Sequence, residues 1–175
     1  MARGRFVLLI AVLIVLGNAC GIAHPGDLGY RIDKRLHFVT PKARTLIKPP
    51  IDVRWSISDF TVQPPGSAPP SGKAGYFAVF VDRAPIKPKE TMRVVAKNDE
   101  VCLHRPGCPD ESYLQDRQIY TTTSSGLTLD QIPPIAGDTE RIQLHFITVI
   151  LMDTAGHRIG ESAWQLDVRM RRVGL

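Results

Sequence analysis

Proline divides this chain into segments that leave little room for a long helix. Pro41 ends one β-prone run, and Pro49-Pro50 ends the next. The loop at residues 63–72 contains four prolines and can continue neither a helix nor a strand ladder, because proline lacks the backbone N–H. The 175 residues include 14 prolines and 14 glycines, a composition that favours turns and short strands.

The runs between these breaks have the periodicity of strands. Residues 51–57 alternate apolar and polar side chains, as a half-buried strand does. Residues 76–81 are continuously apolar, which is typical of a central strand covered on both faces. Residues 142–152 and 157–168, joined by the turn 153–156, predict a hairpin. Further strands are predicted at 36–40, 45–47, 92–96, 118–123 and 127–129, with one helical turn between 110 and 118.

About seven or eight strands at short spacing predict an all-β fold. The expected fold is an antiparallel immunoglobulin-like β-sandwich over residues 36–170, preceded by a signal-peptide helix. Apolar residues make up 43% of the chain and charged residues 22%, which is ordinary for a folded domain. The length fits one domain.

Several segments resemble those of small exported bacterial immunoglobulin-like domains. The resemblance spans residues 36–168 and is carried by Phe38-Val39-Thr40-Pro41, Ile51-Asp52-Val53-Arg54-Trp55, the strand from Gly75 to Asp82, and the closing hairpin with Asp153 and Gly156. One such group, of unknown function, has histidines where this chain has Tyr76-Phe77-Ala78. The resemblance therefore implies the fold and implies no metal site.

The first 19 residues have the three-part pattern of a secretory signal peptide. Arg3 and Arg5 form a positive segment, residues 6–16 are unbroken apolar sequence, and Gly17-Asn18-Ala19 are small or polar. The apolar run has 11 residues. A membrane-spanning helix needs about 20, so export is the prediction and a permanent span is not.

Cys20 predicts what happens after export. Residues 16–20 resemble the lipobox of bacterial lipoproteins, in which the cysteine is acylated and becomes the new N-terminus. The motif departs from its usual form at Gly17, where leucine is expected, since Leu16 lies one place earlier. The prediction is a lipid anchor at Cys20 on the extracytoplasmic face of a bacterial membrane. Small residues at Gly17 and Ala19 also suit ordinary cleavage, so free secretion is the alternative.

The remaining boundaries follow from composition. Residues 20–35 are polar, with little periodicity, and are predicted to be a membrane-proximal tether. Residues 171–175 are predicted to be a basic tail. The formal net charge of +5 is mixed with acidic residues and includes Arg3 and Arg5 of the leader, so nucleic acid is not an expected partner.

Cys102 and Cys108 predict a disulfide. They lie six residues apart with the turn signal Pro106-Gly107 between them, and an exported chain enters an oxidising compartment. The alternative is a metal site in which free thiols act with His104 and Asp110. The spacing matches no common zinc motif, so no metal or cofactor is predicted.

Four residues are predicted as candidate binding residues. His104 and Arg105 lie in the cysteine loop, and Asp82 and Arg83 follow the central strand. The structural interpretation of Asp82-Arg83 is a strand-end charge pair. We expect Trp55 and Trp164 to be buried in the core, and His145 to be a satisfied or surface histidine.

These observations favour a binding module over an enzyme. The sequence contains no nucleophile elbow, glycine-rich phosphate loop or paired-histidine zinc helix. The predicted function is a membrane-anchored, non-enzymatic interaction domain with a protein or envelope partner. The alternative is a metal-handling or enzymatic envelope protein that uses the Cys102–Cys108 loop.

Overall fold

The computed structural model describes residues 33–172. The predicted signal peptide (1–19), the lipidation site Cys20 and most of the predicted tether lie outside these residues. The described part contains nine strands: β1 (Leu36–Thr40), β2 (Leu46–Ile47), β3 (Ile51–Ile57), β4 (Thr61–Val62), β5 (Ala74–Val81), β6 (Ile119–Thr122), β7 (Gly126–Leu129), β8 (Ile142–Asp153) and β9 (Trp164–Arg171). The predicted all-β class is confirmed.

The strands form two sheets. The smaller sheet has the order β1-β3-β7 and is antiparallel throughout. The larger sheet has the order β2-β9-β8-β5, and β4 and β6 both pair with β5. The two-residue strands β2 and β4 pair in parallel, while the longer neighbours pair antiparallel. These very short strands bring the count to nine.

One hydrophobic core lies between the sheets. The alternation in β3 buries Ile51, Val53 and Trp55, as the period predicted. These side chains pack in one cluster with the inward residues of β5, β8 and β9. The Trp55 and Phe77 rings meet edge to face with centroids 5.3 Å apart, a favourable aromatic geometry. Trp164 is only half-buried, which differs from its predicted place in the core.

The outer face of β5 is covered by the segment 82–118, called the cap below. The cap contains a 3₁₀ helix (Met92–Ala96) and two short α-helices, α1 (Glu100–Leu103) and α2 (Glu111–Gln115). Its apolar side chains form a second core with Tyr76, Ala78 and Phe80. The central strand is therefore buried on both faces, as its continuous apolar run predicted.

The predicted strand at residues 92–96 is wrong. Met92 and Ala96 are the buried residues of this 3₁₀ helix, and both pack in the second core. The helical turn expected between residues 110 and 118 is confirmed as α2. The side chains of Asp99 and Asp110 cap α1 and α2 by accepting bonds from backbone N–H groups.

The C-terminal hairpin is confirmed with a shorter second strand. β8 pairs with β9 from Ile142–Arg171 to Val149–Trp164. Residues 157–163 lie outside both strands, and the buried Arg158 guanidinium in this segment donates to the backbone carbonyls of Ile86, Glu161 and Ser162. Within residues 33–172, no helix is long and apolar enough to cross a bilayer.

The folded part extends beyond the predicted limits of 36 and 170. Asp33 accepts a hydrogen bond from the Trp164 indole through its carbonyl, so the last residues of the predicted tether pack on β9. Arg171 belongs to β9, and Arg172 donates to the Asp138 carbonyl. The first residues of the predicted basic tail are thus part of the described fold.

Candidate functional site

A cavity of about 450 Å³ lies where the ends of β8 and β9 meet the loop that follows β7. We call it the end cavity. Its apolar lining includes Ile132 and Met170, both almost fully buried. Its other lining residues are Pro49, Asp130, Gln131, Pro133, Pro134, Gln143, His145, Arg171 and Arg172.

His145 is the buried ionisable side chain of this cavity. It is 2% exposed and lies on β8 two residues before the core residue Ile147. Its Nδ1 is 2.7 Å from Oδ2 of Asp82. Oδ1 of the same carboxylate accepts the backbone N–H of Phe146 at 2.8 Å. Asp82 therefore holds both the imidazole ring and the backbone beside it.

Asp82 reaches His145 because of its backbone conformation. It directly follows β5 and has φ of 53°, a left-handed value that aspartate tolerates better than most residues. Its backbone N–H donates to the Phe146 carbonyl, which keeps the strand end beside β8. The turn after β5 thus places a carboxylate against a histidine 63 residues later in the chain.

The carboxylate determines the chemistry of the imidazole. An ionised carboxylate only accepts hydrogen bonds, so Nδ1 of His145 donates to it. In neutral imidazole the other nitrogen, Nε2, then carries the lone pair. Nε2 forms no hydrogen bond with any of residues 33–172, and His145 lines the end cavity. His145 therefore contributes a hydrogen-bond acceptor to the lining of the end cavity.

Gln143 braces the wall of the cavity. It is 1% exposed, and its Oε1 accepts the backbone N–H of Ile135 at 3.2 Å. Its Nε2 donates to the carbonyl of Asp138 at 3.1 Å. Both ends of the buried amide are satisfied, so the side chain ties the loop after β7 to β8.

The charged residues of the cavity are two arginines and one carboxylate. Arg171 and Asp130 are exposed, and Arg172 is half-buried. Nη1 of Arg172 donates to the Asp138 carbonyl at 3.2 Å, which orients the guanidinium. With one more cation than anion among these three, the rim favours a negatively charged group.

The structure separates the predicted pair Asp82-Arg83. The Asp82 carboxylate binds His145, whereas Nη1 of Arg83 donates to the Arg117 carbonyl at 2.7 Å. The expected strand-end charge pair is therefore replaced by an aspartate–histidine pair. The interpretation of His145 as a satisfied histidine holds for Nδ1.

The cysteine loop contributes no residue to the lining of the end cavity. Cys102 and Cys108 are joined by a disulfide with Cα atoms 5.3 Å apart. Arg105 and Asp110 form an exposed ion pair with Nη2 and Oδ2 2.6 Å apart. His104 is exposed, and it makes no side-chain hydrogen bond within residues 33–172. As a disulfide, neither sulfur is a thiolate ligand for a metal.

The disulfide borders a second, more open groove. Cys108 and Gly107 line it together with Tyr76, Arg93 and His157. Burial and the nearby charge of Asp153 raise the pKa of the Tyr76 hydroxyl. A phenol in this environment stays protonated, so it acts as a neutral hydrogen-bonding group.

Sequence reasoning missed the end cavity, although a signal for it exists. Gln143 and His145 occupy alternate positions of β8 in register with the core residues Ile147, Val149 and Leu151. A strand of period two that continues its inward face with polar residues indicates a polar site at the end of the core. The partner Asp82 lies too far away in sequence for this pattern to identify it.

No group of three or more metal-ligating side chains occurs in the part of the chain that the structure describes. In comparisons with protein-family models, curated proteins and solved structures, the chain matches none of them.

Proposed function

We propose that this chain is an exported lipoprotein whose immunoglobulin-like β-sandwich acts as a non-enzymatic binding module on the extracytoplasmic face of a bacterial membrane. The observation that carries the proposal is the Cys102–Cys108 disulfide. Disulfides persist in oxidising compartments, which is where the predicted leader would deliver the chain. The sequence has three cysteines, so this pairing leaves Cys20 available for acylation.

The immunoglobulin-like assignment is supported by the arrangement of the core. Two largely antiparallel sheets share one hydrophobic cluster, and a buried tryptophan on β3 packs against the facing sheet. The cap is an addition to such a sandwich, since it covers the outer face of the larger sheet. Sandwiches of this type commonly bind their partners with loops at one end.

The binding role is supported by the end cavity. It is bounded by the ends of β8 and β9 and by a loop that Gln143 fixes to the sheet. A volume of about 450 Å³ lies within the range of about 300–1,000 Å³ that is common for small-molecule sites. The cavity joins an apolar wall to a few polar groups, which is the usual composition of a binding pocket.

The anchor is tested by fractionating cells that express the full chain. The parent should sediment with membranes and incorporate an alkyne-labelled palmitate, and Cys20→Ser should do neither. Cys102→Ser is the matched control and should keep both the lipid and the membrane fraction. A Cys20→Ser chain that stays as tightly membrane-bound as the parent would refute the lipid anchor.

A second experiment tests the binding module against the metal-handling alternative. Purified protein should contain no bound metal and no free thiol in the Cys102–Cys108 pair. One metal ion per chain together with two free thiols would overturn the assignment.

A further inference from the structure

We infer that the end cavity binds a small organic acid that carries a hydroxyl group on an apolar body. The hydroxyl binds Nε2 of His145, and the carboxylate binds at Arg171 and Arg172. This inference rests on the proposed binding role and specifies the ligand class for that module.

The first step is the hydroxyl. Nδ1 of His145 donates its proton to the Asp82 carboxylate, so Nε2 of the neutral imidazole is an acceptor. His145 is 2% exposed, and no residue of 33–172 supplies Nε2 with a donor. An acceptor that has no protein donor is open to a ligand O–H that enters the cavity.

The second step is the apolar body. Ile132 and Met170 are 6% and 4% exposed and contribute to the wall, and three further lining residues are prolines. Prolines and buried aliphatic side chains offer no hydrogen-bond donor of their own. Hydrocarbon or aromatic groups therefore fit this wall better than a polyhydroxylated sugar does.

The third step is the carboxylate. Arg171 and Arg172 follow one another at the end of β9, and both line the cavity. Guanidinium groups bind carboxylates through paired N–H bonds. Arg172 uses one N–H on the Asp138 carbonyl, and its other guanidinium donors bind no residue of 33–172, so they can bind a ligand carboxylate.

Together these features predict selectivity for molecules that have both polar groups. A site that pairs a ligand hydroxyl discriminates against the analogue without it, because the hydrogen bond to Nε2 is then not formed. A cationic ligand of the same size should be repelled by the two arginines.

The test uses isothermal titration calorimetry on the full chain in detergent micelles with three probes. 4-Hydroxyphenylacetate carries both groups, phenylacetate lacks the hydroxyl, and tyramine replaces the carboxylate with an amine. We expect 4-hydroxyphenylacetate to bind at least about tenfold more tightly than either analogue. Equal binding of the three probes, or no binding of 4-hydroxyphenylacetate, would overturn the inference.

Variants then assign the binding to named groups. His145→Gln should abolish binding of 4-hydroxyphenylacetate, and His37→Gln, at an exposed histidine on β1 that does not line the cavity, should leave it unchanged. Because a buried substitution can impair folding, Arg171→Gln provides an exposed second variant with an expected loss of about tenfold. Its control is Arg169→Gln, an exposed arginine on the same strand that does not line the cavity. Equal losses in Arg171→Gln and Arg169→Gln would contradict the site.

Asp82 acts as a positioning residue, and its role has its own readout. In ¹⁵N-histidine spectra of the parent, the His145 nitrogens should report a protonated Nδ1, and 4-hydroxyphenylacetate should shift the Nε2 resonance. Asp82→Asn should change the populations of the two His145 tautomers and weaken binding. An unchanged tautomer in Asp82→Asn would refute this role.

These outcomes are independent of the anchor experiment. A chain that is lipidated at Cys20 and fails to bind the probes refutes only the ligand class. A chain that binds the probes and is not lipidated refutes only the anchor.

Discussion

The Trp164 indole Nε1 donates a hydrogen bond to the Asp33 carbonyl at 2.9 Å, across 131 positions of the chain. The Asp33 carboxylate also binds Arg35 through both Nε and Nη2 and accepts the Ser162 hydroxyl. These bonds fix the start of the described fold to the beginning of β9. Asp33 is therefore a structural residue rather than part of a flexible linker.

Asp33 should make stability depend on pH in the acid range. The hydrogen bonds from Arg35 lower the pKa of its carboxyl from 3.8 to about 2, despite the opposing effect of burial. A lowered folded-state pKa means that this stability is present above about pH 4 and is lost as pH falls towards 2. Urea denaturation of the parent and Asp33→Asn should differ by about 1 kcal/mol at pH 7, a value reduced by solvent screening, and the difference should disappear near pH 2.

The control for Asp33 is Asp52→Asn. Asp52 also pairs with an arginine two residues away, but both side chains of that pair are about half or more exposed. An exposed pair contributes little, so Asp52→Asn should change stability by less than about 0.5 kcal/mol. A difference between Asp33→Asn and the parent that persists unchanged to pH 2 would contradict the assigned role.

Gly75→Ala should be among the most damaging small substitutions in the chain. A Cβ at Gly75 would contact the Met152 carbonyl oxygen far inside van der Waals distance, and Gly75 has φ of 152°. Both the collision with backbone and the strained φ oppose a side chain, and we expect a loss of about 3 kcal/mol. Gly72→Ala, which meets no atom within 4 Å, is the matched control and should be nearly neutral. Equal urea midpoints for the two variants would disprove the close approach of β5 to β8.

Trp55→Phe should lower the free energy of unfolding by less than the smaller volume of the phenylalanine ring alone would predict. The indole Nε1 of Trp55 is buried and has no hydrogen-bond partner among the described residues. Phenylalanine removes this unpaired donor while it keeps an aromatic contact with Phe77. We expect a loss of about 1 kcal/mol for Trp55→Phe and about 3–5 kcal/mol for Trp55→Ala in urea denaturation. A loss for Trp55→Phe as large as that for Trp55→Ala would contradict an unpaired indole N–H.

Replacing both cysteines of the disulfide should loosen the cap without unfolding the two sheets. Closing so short a loop stabilises by about 2 kcal/mol, and Cys102 is a buried member of the second core. We expect Cys102→Ser with Cys108→Ser to lose about that amount and to speed proteolysis within residues 92–115. Val101→Ser is the neighbouring control, because Val101 is 78% exposed. Proteolysis at an unchanged rate would show that the cap does not depend on the disulfide.

The sequence predicted the strands whose own pattern determines them. β3, β5 and the β8–β9 hairpin each carry a period or a continuous apolar run that packing then uses. The prediction of a strand at residues 92–96 was wrong because their composition suits a strand, whereas in the structure Met92 and Ala96 pack on the outer face of β5 from a 3₁₀ helix. Tertiary contact decides such a short segment, and its local composition does not.

The candidate site was less predictable than the fold for a related reason. Asp82 was singled out as a strand-end charge, yet its partner His145 lies on the adjacent strand β8. That pairing depends on the register of β8 against β5 and on the left-handed backbone at Asp82. Neither feature has a sequence signal that can be read from one chain.

The cap begins and ends at neighbouring points of the larger sheet. The backbone N–H of Val81, at the end of β5, donates to the carbonyl of Gln118, immediately before β6. The insertion thus leaves and re-enters the sheet at the two ends of what could be an ordinary hairpin turn. For protein engineering, this makes residues 83–117 a replaceable module: a graft can use the same two attachment points. Any replacement must retain Asp82 for the end cavity and must cover Phe80 and Ile150, which the cap now shields from water.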